Sequence, residues 1–136
     1  MPRIAPLAAY HHSNTFIGAS IASGSYGTAG MIVAPCSIRT LSAIASSATD
    51  NLLVRAADLQ LKERRRLVLM VRETPLHLGH LRAMTAVTES GAIVAPPVPA
   101  FYARPATLAE AVDQMARRAI GLLDVEVGIS SREWEG

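Results

Sequence analysis

Three short, unbroken apolar runs constrain the fold of this chain more than any other feature of its sequence. They are GMIVAP at 30–35, LVLMV at 67–71 and AIVAPP at 92–97. A strand buried on both faces gives such a run, whereas a strand with one face in water alternates apolar and polar residues. Strands of the first kind are typical of parallel sheets. The runs therefore predict three buried strands.

The segments between and after these runs have the apolar spacing of helices. Helices are predicted over 37–47, 50–66 and 76–89, and from Thr107 onwards, with Ser37 as the N-cap of the first. The second helix is expected to place its apolar side chains mostly on one side: Leu52, Leu53, Ala56, Leu59 and Leu61. The alternation of strands and helices predicts an α/β fold with a parallel sheet and right-handed crossovers.

One domain is expected over residues 1–136, with a divergent N-terminus at 1–16 and a C-terminal tail at 124–136. Half of the 136 residues are hydrophobic, which is enough for a single core. Cys36 is the only cysteine, so an internal disulfide is excluded. No apolar run approaches the length of a membrane span, and the first residues lack the order of a signal peptide. A cytoplasmic protein that does not bind membranes is predicted.

Unusual residues follow the predicted strands at one edge of the sheet. Ligands of parallel sheets bind beyond the carboxyl ends of the strands. Pro35–Ser37, the pair Arg72 and Glu73, and the loop 96–105 all lie there. Adjacent opposite charges are usually a solvated surface pair, but their place after five apolar residues favours a cleft. A desolvated Glu73 could transfer a proton near neutral pH.

Two further segments suggest anion binding, each with an ordinary structural alternative. Ser37 and Thr40 open a helix directly after a strand, where backbone amides and the helix dipole favour an anion. Simple helix capping explains them equally well. Gly24, Gly27 and Gly30 could bring amides close to a phosphate, but their spacing matches no known phosphate loop, and a flexible turn is the simpler interpretation.

The remaining candidates are weaker. Cys36 precedes a helix N-terminus, which could lower its pKa, but no base partner is identified. The cations Lys62 and Arg64–Arg66 complement a helix C-terminus, and without interleaved aromatic residues they do not indicate nucleic-acid binding. The histidine pairs at 11–12 and at 77 and 80 lack further ligands at metal-binding spacing, so no metal site is predicted. Tyr102 either packs or lines a pocket.

Four stretches of the sequence closely resemble the flavin prenyltransferases (UbiX-like proteins). They are ASGS at 22–25, GMIVAPCSIRTLSAIA at 30–45, DNLLVRAADLQLKERRRLVLMVRETPL at 50–76 and PPVPAFYARP at 96–105. The resemblance implies a flavodoxin-like or Rossmann-like three-layer parallel sheet. It also implies transfer of a dimethylallyl group from dimethylallyl monophosphate to N5 and C6 of reduced FMN, without a metal. The prenylated FMN would serve a UbiD-type decarboxylase, and the family forms large homo-oligomers.

The resemblance also implies roles for individual residues. Ser37, Ile38, Arg39 and Thr40 match the segment that contacts FMN, and Arg72 matches an arginine that contacts FMN. Glu73 matches the acid beside it and is the candidate proton carrier. Tyr102 and Arg118 match residues that bind the dimethylallyl phosphate, with Arg55 and Lys62 as further catalytic cations of that pocket. Trp134 loosely matches a tryptophan that covers the site. These cations are expected to converge on one oxyanion pocket at a single rim of the sheet.

One departure from the family is large. Its members begin with a strand that ends in a Gly-Ala-Ser-Gly-like turn, followed by a helix and a second strand, and nothing at 1–16 matches these elements. The chain is therefore expected to be N-terminally truncated relative to the family. An artificially short start site, a natural truncation rescued by oligomer contacts, and a homologue without catalysis are all possible. A non-catalytic FMN-binding or assembly subunit of an aromatic-acid decarboxylase system is the alternative function. The related phosphopantothenoylcysteine decarboxylases match the motifs less well.

Overall fold

The computed structural model describes residues 4–125 and contains the predicted alternation of strands and helices. The elements are β1 Met31–Cys36, α1 Ile38–Ala45, α2 Leu52–Lys62, β2 Leu67–Val71, α3 Leu78–Glu89, β3 Ile93–Val94 and α4 Leu108–Gly121. Short 3-10 turns occur at Ala5–Leu7, Ser20–Ala22 and Phe101–Ala103. The described residues contain no helix with the length and apolar character needed to span a bilayer.

The three strands form a parallel sheet in the order β1-β2-β3. Met31 of β1 lies opposite Leu67 of β2, and Val68 of β2 lies opposite Ile93 of β3. Successive side chains of a strand point to opposite faces, yet Leu67, Val68 and their neighbour Leu69 are all fully buried. The central strand is therefore covered on both faces, as the unbroken apolar run predicted.

The main hydrophobic core lies where three helices meet one face of the sheet. Leu69 of β2 belongs to the same buried cluster as Leu41 of α1, Val54 of α2 and Val87 of α3. Because alternate residues of β2 share this cluster, the three helices pack over the same sheet face. Helix α1 begins directly after β1, and Arg39 in its first turn pairs with Asp50 just before α2, so both helices begin at the end of the sheet where β1 finishes.

The predicted strand at 92–97 is shorter than expected. β3 covers only Ile93–Val94, and one further backbone hydrogen bond, Ala95 N to Leu69 O at 2.9 Å, continues the ladder. The next two residues are prolines, which have no backbone N–H to donate to a neighbouring strand. The strand therefore gives way to an irregular loop at Pro96.

Helix α2 buries two sides, and the prediction of a single apolar side was wrong. Val54 and Ala57 face the main core, whereas Leu52 forms a second cluster with Ala19 and Ala22 of the preceding segment. Asn14 fastens that segment, because its carbonyl and side-chain oxygens accept the amides of Leu52 and Leu53, each at 2.8 Å. The N-terminal segment thus supplies a cover that sequence periodicity did not reveal.

The helix boundaries follow their caps rather than the charged run. Ser37 caps α1 as predicted, and its Oγ accepts the amide of Thr40 at 3.2 Å. Thr107 caps α4 in the same way. Helix α2 was predicted to reach residue 66 but ends at Lys62, because Arg64 adopts a left-handed conformation with φ of 58°. Its amide and that of Arg65 bond back to Leu61 O and Gln60 O, which is a Schellman motif.

Candidate functional site

The carboxyl ends of β1 and β2 bring two of the predicted site segments side by side. The amide of Arg72 donates to the carbonyl of Cys36 at 3.2 Å, so the residues just beyond each strand are directly linked. The start of α1, Ser37–Thr40, therefore lies next to Arg72 and Glu73. This edge contains the residues to which the resemblance assigned contacts with FMN.

The start of α1 has the chemistry of an anion-facing helix end. Ser37 Oγ donates to Thr40 Oγ1 at 3.1 Å while accepting the Thr40 amide, so both hydroxyls lie on the first turn. Arg39 is exposed and its guanidinium lies 3.8 Å from the Asp50 carboxylate. An exposed ion pair of this length contributes little stability, so Arg39 can reorient towards an anion at small cost.

Arg72 and Glu73 are exposed in the single chain. Glu73 Oε1 accepts the amide of Thr74 at 2.9 Å, so the carboxyl group is oriented by its own backbone. Sequence reasoning expected this pair to line a cleft. The cleft would require another surface to cover this edge, because the described residues around the pair leave it open.

Cys36 is buried at the end of β1 and is not an activated nucleophile. Its side chain is fully buried, and burial raises the pKa of its thiol from 9.0 to about 11. The prediction that a helix N-terminus could lower this pKa was wrong, because desolvation of the thiolate outweighs the helix dipole here. The role of Cys36 is packing in the main core.

The burial of Cys36 predicts a loss of stability in alkaline solution. A thiol whose pKa is raised by folding stabilises the folded state below the unfolded pKa, and this contribution disappears as the pH rises from about 9 to about 11. The free energy of unfolding should therefore fall more steeply over this range in the wild type than in Cys36→Ala, by up to about 3 kcal/mol. Denaturant titrations at several pH values measure this difference, and identical slopes would contradict it.

Lys62 lies at the opposite end of the sheet from Arg72. It is the last residue of α2, which precedes β2, whereas Arg72 follows β2. A five-residue strand spans about 16 Å, so the backbones of the two residues lie about a strand length apart. Lys62 Nζ is 3.4 Å from Glu63 Oε1 and its side chain is 67% exposed. Arg55 is exposed on the same helix, about 10 Å along its axis towards the start.

Arg118 also lies towards the amino end of the strands. Helix α4 ends at Gly121, and the following Leu123 lies so close to Gly30 that a Cβ there would be 2.9 Å from Leu123 Cδ2. Gly30 immediately precedes β1, and Asp124 pairs with Arg66 just before β2, at 3.7 Å. Thus a single chain does not bring Lys62, Arg72 and Arg118 to one rim, as sequence reasoning expected. One chain presents two separate groups of candidate residues.

The glycine-rich segment is ordered against the end of α2. Arg65 donates from Nη1 to Tyr26 O at 2.8 Å and from Nη2 to Gly24 O at 2.9 Å. Thr28 Oγ1 donates to Oε1 of the buried Gln60 at 2.9 Å. The sequence favoured a flexible turn for this segment and did not reveal Arg65 and Gln60 as its partners, because their contacts span 32 to 41 positions of sequence and follow no local pattern.

A broad apolar surface surrounds the carboxyl edge of the sheet. It is formed by the segment after β2, the loop after β3, and the first turns of α3 and α4, and we call it the apolar rim. Its exposed members are Leu76, Leu78, Leu81, Val98, Phe101, Tyr102, Leu108 and Val112. Tyr102 is 75% exposed on this surface, in the turn Phe101–Ala103. A concentration of exposed apolar side chains on segments at one edge of a sheet is typical of an interaction surface.

The histidines near α3 cap its first turn. His77 Nδ1 accepts the amide of Gly79 at 2.9 Å, His80 Nδ1 lies 3.4 Å from the His77 amide, and the two rings stack with centroids 3.6 Å apart. Among the described residues, no group of three or more histidine, cysteine or acidic side chains could hold a metal ion. Trp134 lies outside the described residues.

Comparison with known proteins shows the family to which this chain is similar. A model of the flavoprotein family matches residues 11–118. The flavin prenyltransferase UbiX of Thauera aromatica is 58% identical over 96% of this chain and 66% of its own length. The chain therefore spans about two thirds of the length of such curated relatives.

Two solved structures are similar over 98% of the chain. AnUbiX (PadA1), in complex with FMN and dimethylallyl pyrophosphate, has a TM-score of 0.92 and 47% identity, and the match covers 70% of that protein. A dodecameric FMN-dependent UbiX-like decarboxylase from Escherichia coli O157:H7 has a TM-score of 0.91 and 42% identity, with 71% of that protein covered. Both similarities support the flavodoxin-like fold that the sequence predicted.

Proposed function

Because the chain belongs to the flavoprotein family, and within it to the UbiX-type flavin prenyltransferases, we propose that it transfers a dimethylallyl group from dimethylallyl monophosphate to reduced FMN. The observation that carries this proposal is the link between Arg72 N and Cys36 O, which places the Ser37–Thr40 segment beside Arg72 and Glu73. A UbiD-type decarboxylase would use the prenylated FMN.

The donor set at the carboxyl edge fits a flavin nucleotide. The first turn of α1 offers hydroxyl groups and the positive end of a helix dipole, both suited to a phosphate or to polar ring atoms. Ser37, Ile38, Arg39 and Thr40 would hold the cofactor from this side, and Arg72 would contact it from the end of β2. Reduced FMN supplies the nucleophilic N5 and C6 atoms.

The chemical demand on the protein is to assist the departure of an allylic phosphate. As the allylic C–O bond breaks, the electron pair leaves with the phosphate, and cations stabilise the charge that develops there. Lys62, Arg55 and Arg118 would supply that charge, with the hydroxyl of Tyr102 as a further contact. Glu73 would move a proton, either at the flavin or to the leaving phosphate.

These two sets of residues would meet across a contact between subunits. Lys62 and Arg55 are exposed on α2, and Arg72 and Glu73 are exposed about a strand length away. The apolar rim beside Glu73 gives a second copy a surface to bury, and burial would exclude water from the allylic centre. The dodecameric state of the E. coli relative supports an assembly of many copies.

Product formation tests the proposal directly. The purified chain is incubated with reduced FMN and dimethylallyl monophosphate, and the flavin is analysed by mass spectrometry. We expect a flavin enlarged by one dimethylallyl group, with a full-length relative as positive control. Unchanged FMN under conditions where that relative is active would overturn the proposal.

A second candidate function is favoured by the openness of the carboxyl edge. Arg72 and Glu73 are exposed, so a chain that bound FMN weakly could act as a non-catalytic FMN-binding or assembly subunit of a decarboxylase system. This candidate predicts oligomers and no prenylated flavin. Measurable turnover in the assay above would eliminate it.

A further inference from the structure

We propose that Arg65 is a positioning residue that holds the loop Gly24–Gly27 against the end of α2, so that the loop and Lys62 form one preorganised phosphate-binding corner. The inference rests on the proposed function and names a residue to which the resemblance gave no role. Its basis is the pair of hydrogen bonds from Arg65 to Tyr26 O at 2.8 Å and Gly24 O at 2.9 Å.

The Schellman motif at the end of α2 aims Arg65 at the loop. Arg64 takes the left-handed position with φ of 58°, which turns the chain back over the last helical turn. The amide of Arg65 then donates to Gln60 O at 2.8 Å, which fixes the backbone position from which the Arg65 side chain extends. A planar guanidinium fork that starts from a fixed backbone can satisfy two carbonyl oxygens in one geometry.

The clamp brings the loop into contact with Lys62 and Glu63. A Cβ placed on Gly24 would lie 2.5 Å from Glu63 Oε1 and 3.6 Å from Lys62 Nζ. Glycine at position 24 therefore lets the loop backbone approach these side chains without displacing the Glu63 carboxylate. Ser23 and Ser25 flank it with hydroxyl groups 2.9 Å apart. Lys62 is paired with Glu63 at 3.4 Å, so a phosphate bound here would replace the Glu63 carboxylate as the partner of the ammonium, with the hydroxyls that flank Gly24 as further donors.

Arg65→Lys tests this role because lysine keeps the charge but cannot form the planar fork. Arg64→Lys is the matched control, since Arg64 is exposed and donates only to Leu61 O of its own helix, at 3.2 Å. Two measurements do not depend on turnover. They are amide hydrogen exchange in peptides that cover residues 22–29, and calorimetric binding of dimethylallyl monophosphate. A third measurement, which does depend on turnover, is the KM for each substrate.

In Arg65→Lys we expect faster exchange in the loop and binding of dimethylallyl monophosphate weakened about tenfold, the effect of losing one charge-assisted hydrogen bond. The KM for this donor should rise by a similar factor, while the KM for FMN stays unchanged. Arg64→Lys should resemble the wild type in every measurement.

Unchanged loop exchange, or an equal rise in both KM values, would overturn the role of Arg65. If the wild type binds the donor but forms no prenylated flavin, the proposed function fails, and a donor affinity that falls only in Arg65→Lys still supports the inference. If the wild type does not bind the donor, the phosphate corner itself is refuted.

Discussion

Replacing Lys62 with glutamine should lower kcat/KM for the dimethylallyl donor by about 10²–10³, the usual effect of removing one preorganised electrostatic contact to developing charge. Lys62 is the last residue of α2, and its side chain is 67% exposed, so the substitution removes little packing. FMN affinity should be unchanged, because the FMN contacts are assigned to the other end of the sheet. Steady-state kinetics with reduced FMN in excess and flavin titration measure the two quantities.

Arg64→Gln provides the matched control for this prediction. It removes a charge of the same sign two residues further along the chain. Residue 64 has a positive φ, which strains the backbone equally for arginine and glutamine. We expect its kcat/KM to remain within about threefold of the wild type, as for an exposed charge that is screened by salt. Similar losses in Lys62→Gln and Arg64→Gln would show that overall basicity matters rather than a specific contact at Lys62.

Glu73→Gln should reduce kcat by about 10²–10⁴, the contribution of a positioned acid or base. Glutamine preserves the shape of the side chain, and its carbonyl oxygen can still accept the Thr74 amide that Glu73 Oε1 accepts at 2.9 Å. The loop after β2 should therefore keep its geometry, while the ability to carry a proton is lost. Binding of both substrates should change less than about threefold, which single-turnover and binding measurements test together.

The control for Glu73→Gln is Glu89→Gln, at the exposed end of α3. It removes a carboxylate that has no assigned contact with either substrate, so we expect activity like that of the wild type. A Glu73→Gln variant that retains full kcat would exclude Glu73 from proton transfer. In that case the adjacent Arg72 would remain as the functional group of this segment.

The sequence predicted the sheet well because buried parallel strands have an unmistakable pattern. LVLMV at 67–71 coincides with β2, and GMIVAP at 30–35 is displaced from β1 by one residue. Local chemistry also identified the cap at Ser37. The third strand was overestimated because prolines 96 and 97 preserve an apolar pattern while removing the amides that a sheet requires.

Contacts between residues far apart in the sequence could not be predicted from the pattern of apolar residues. Periodicity assigned one apolar side to α2, but Ala19 and Ala22 cover a second side of this helix. Asn14 and Arg65 act through hydrogen bonds to residues about forty positions away. Nothing in the local sequence distinguishes such partners from exposed polar residues, so these contacts emerge only from the three-dimensional structure.

The candidate site was predicted in its parts but not in its arrangement. The carboxyl-edge group at Ser37 and Arg72 followed from the direction of the strands. Lys62 was grouped with them through the resemblance alone. Helix α2 leads into β2, so its last residue, Lys62, lies near the amino end of that strand. Topology therefore separates these residues in one chain, and the proposed function requires contacts between chains to bring them together. Subunit contacts of that kind leave little trace in the pattern of a single sequence.

Mixed oligomers give the most direct test of a site shared between subunits. Lys62→Gln and Glu73→Gln chains, each almost inactive alone, are co-expressed with different tags and purified together. If each site takes Lys62 from one copy and Glu73 from another, random mixing should restore about a quarter of wild-type turnover. The same fraction is expected when the wild type is mixed equally with the double variant. No recovery in the first mixture, together with about half of wild-type turnover in the second, would place both residues in one chain and contradict the account.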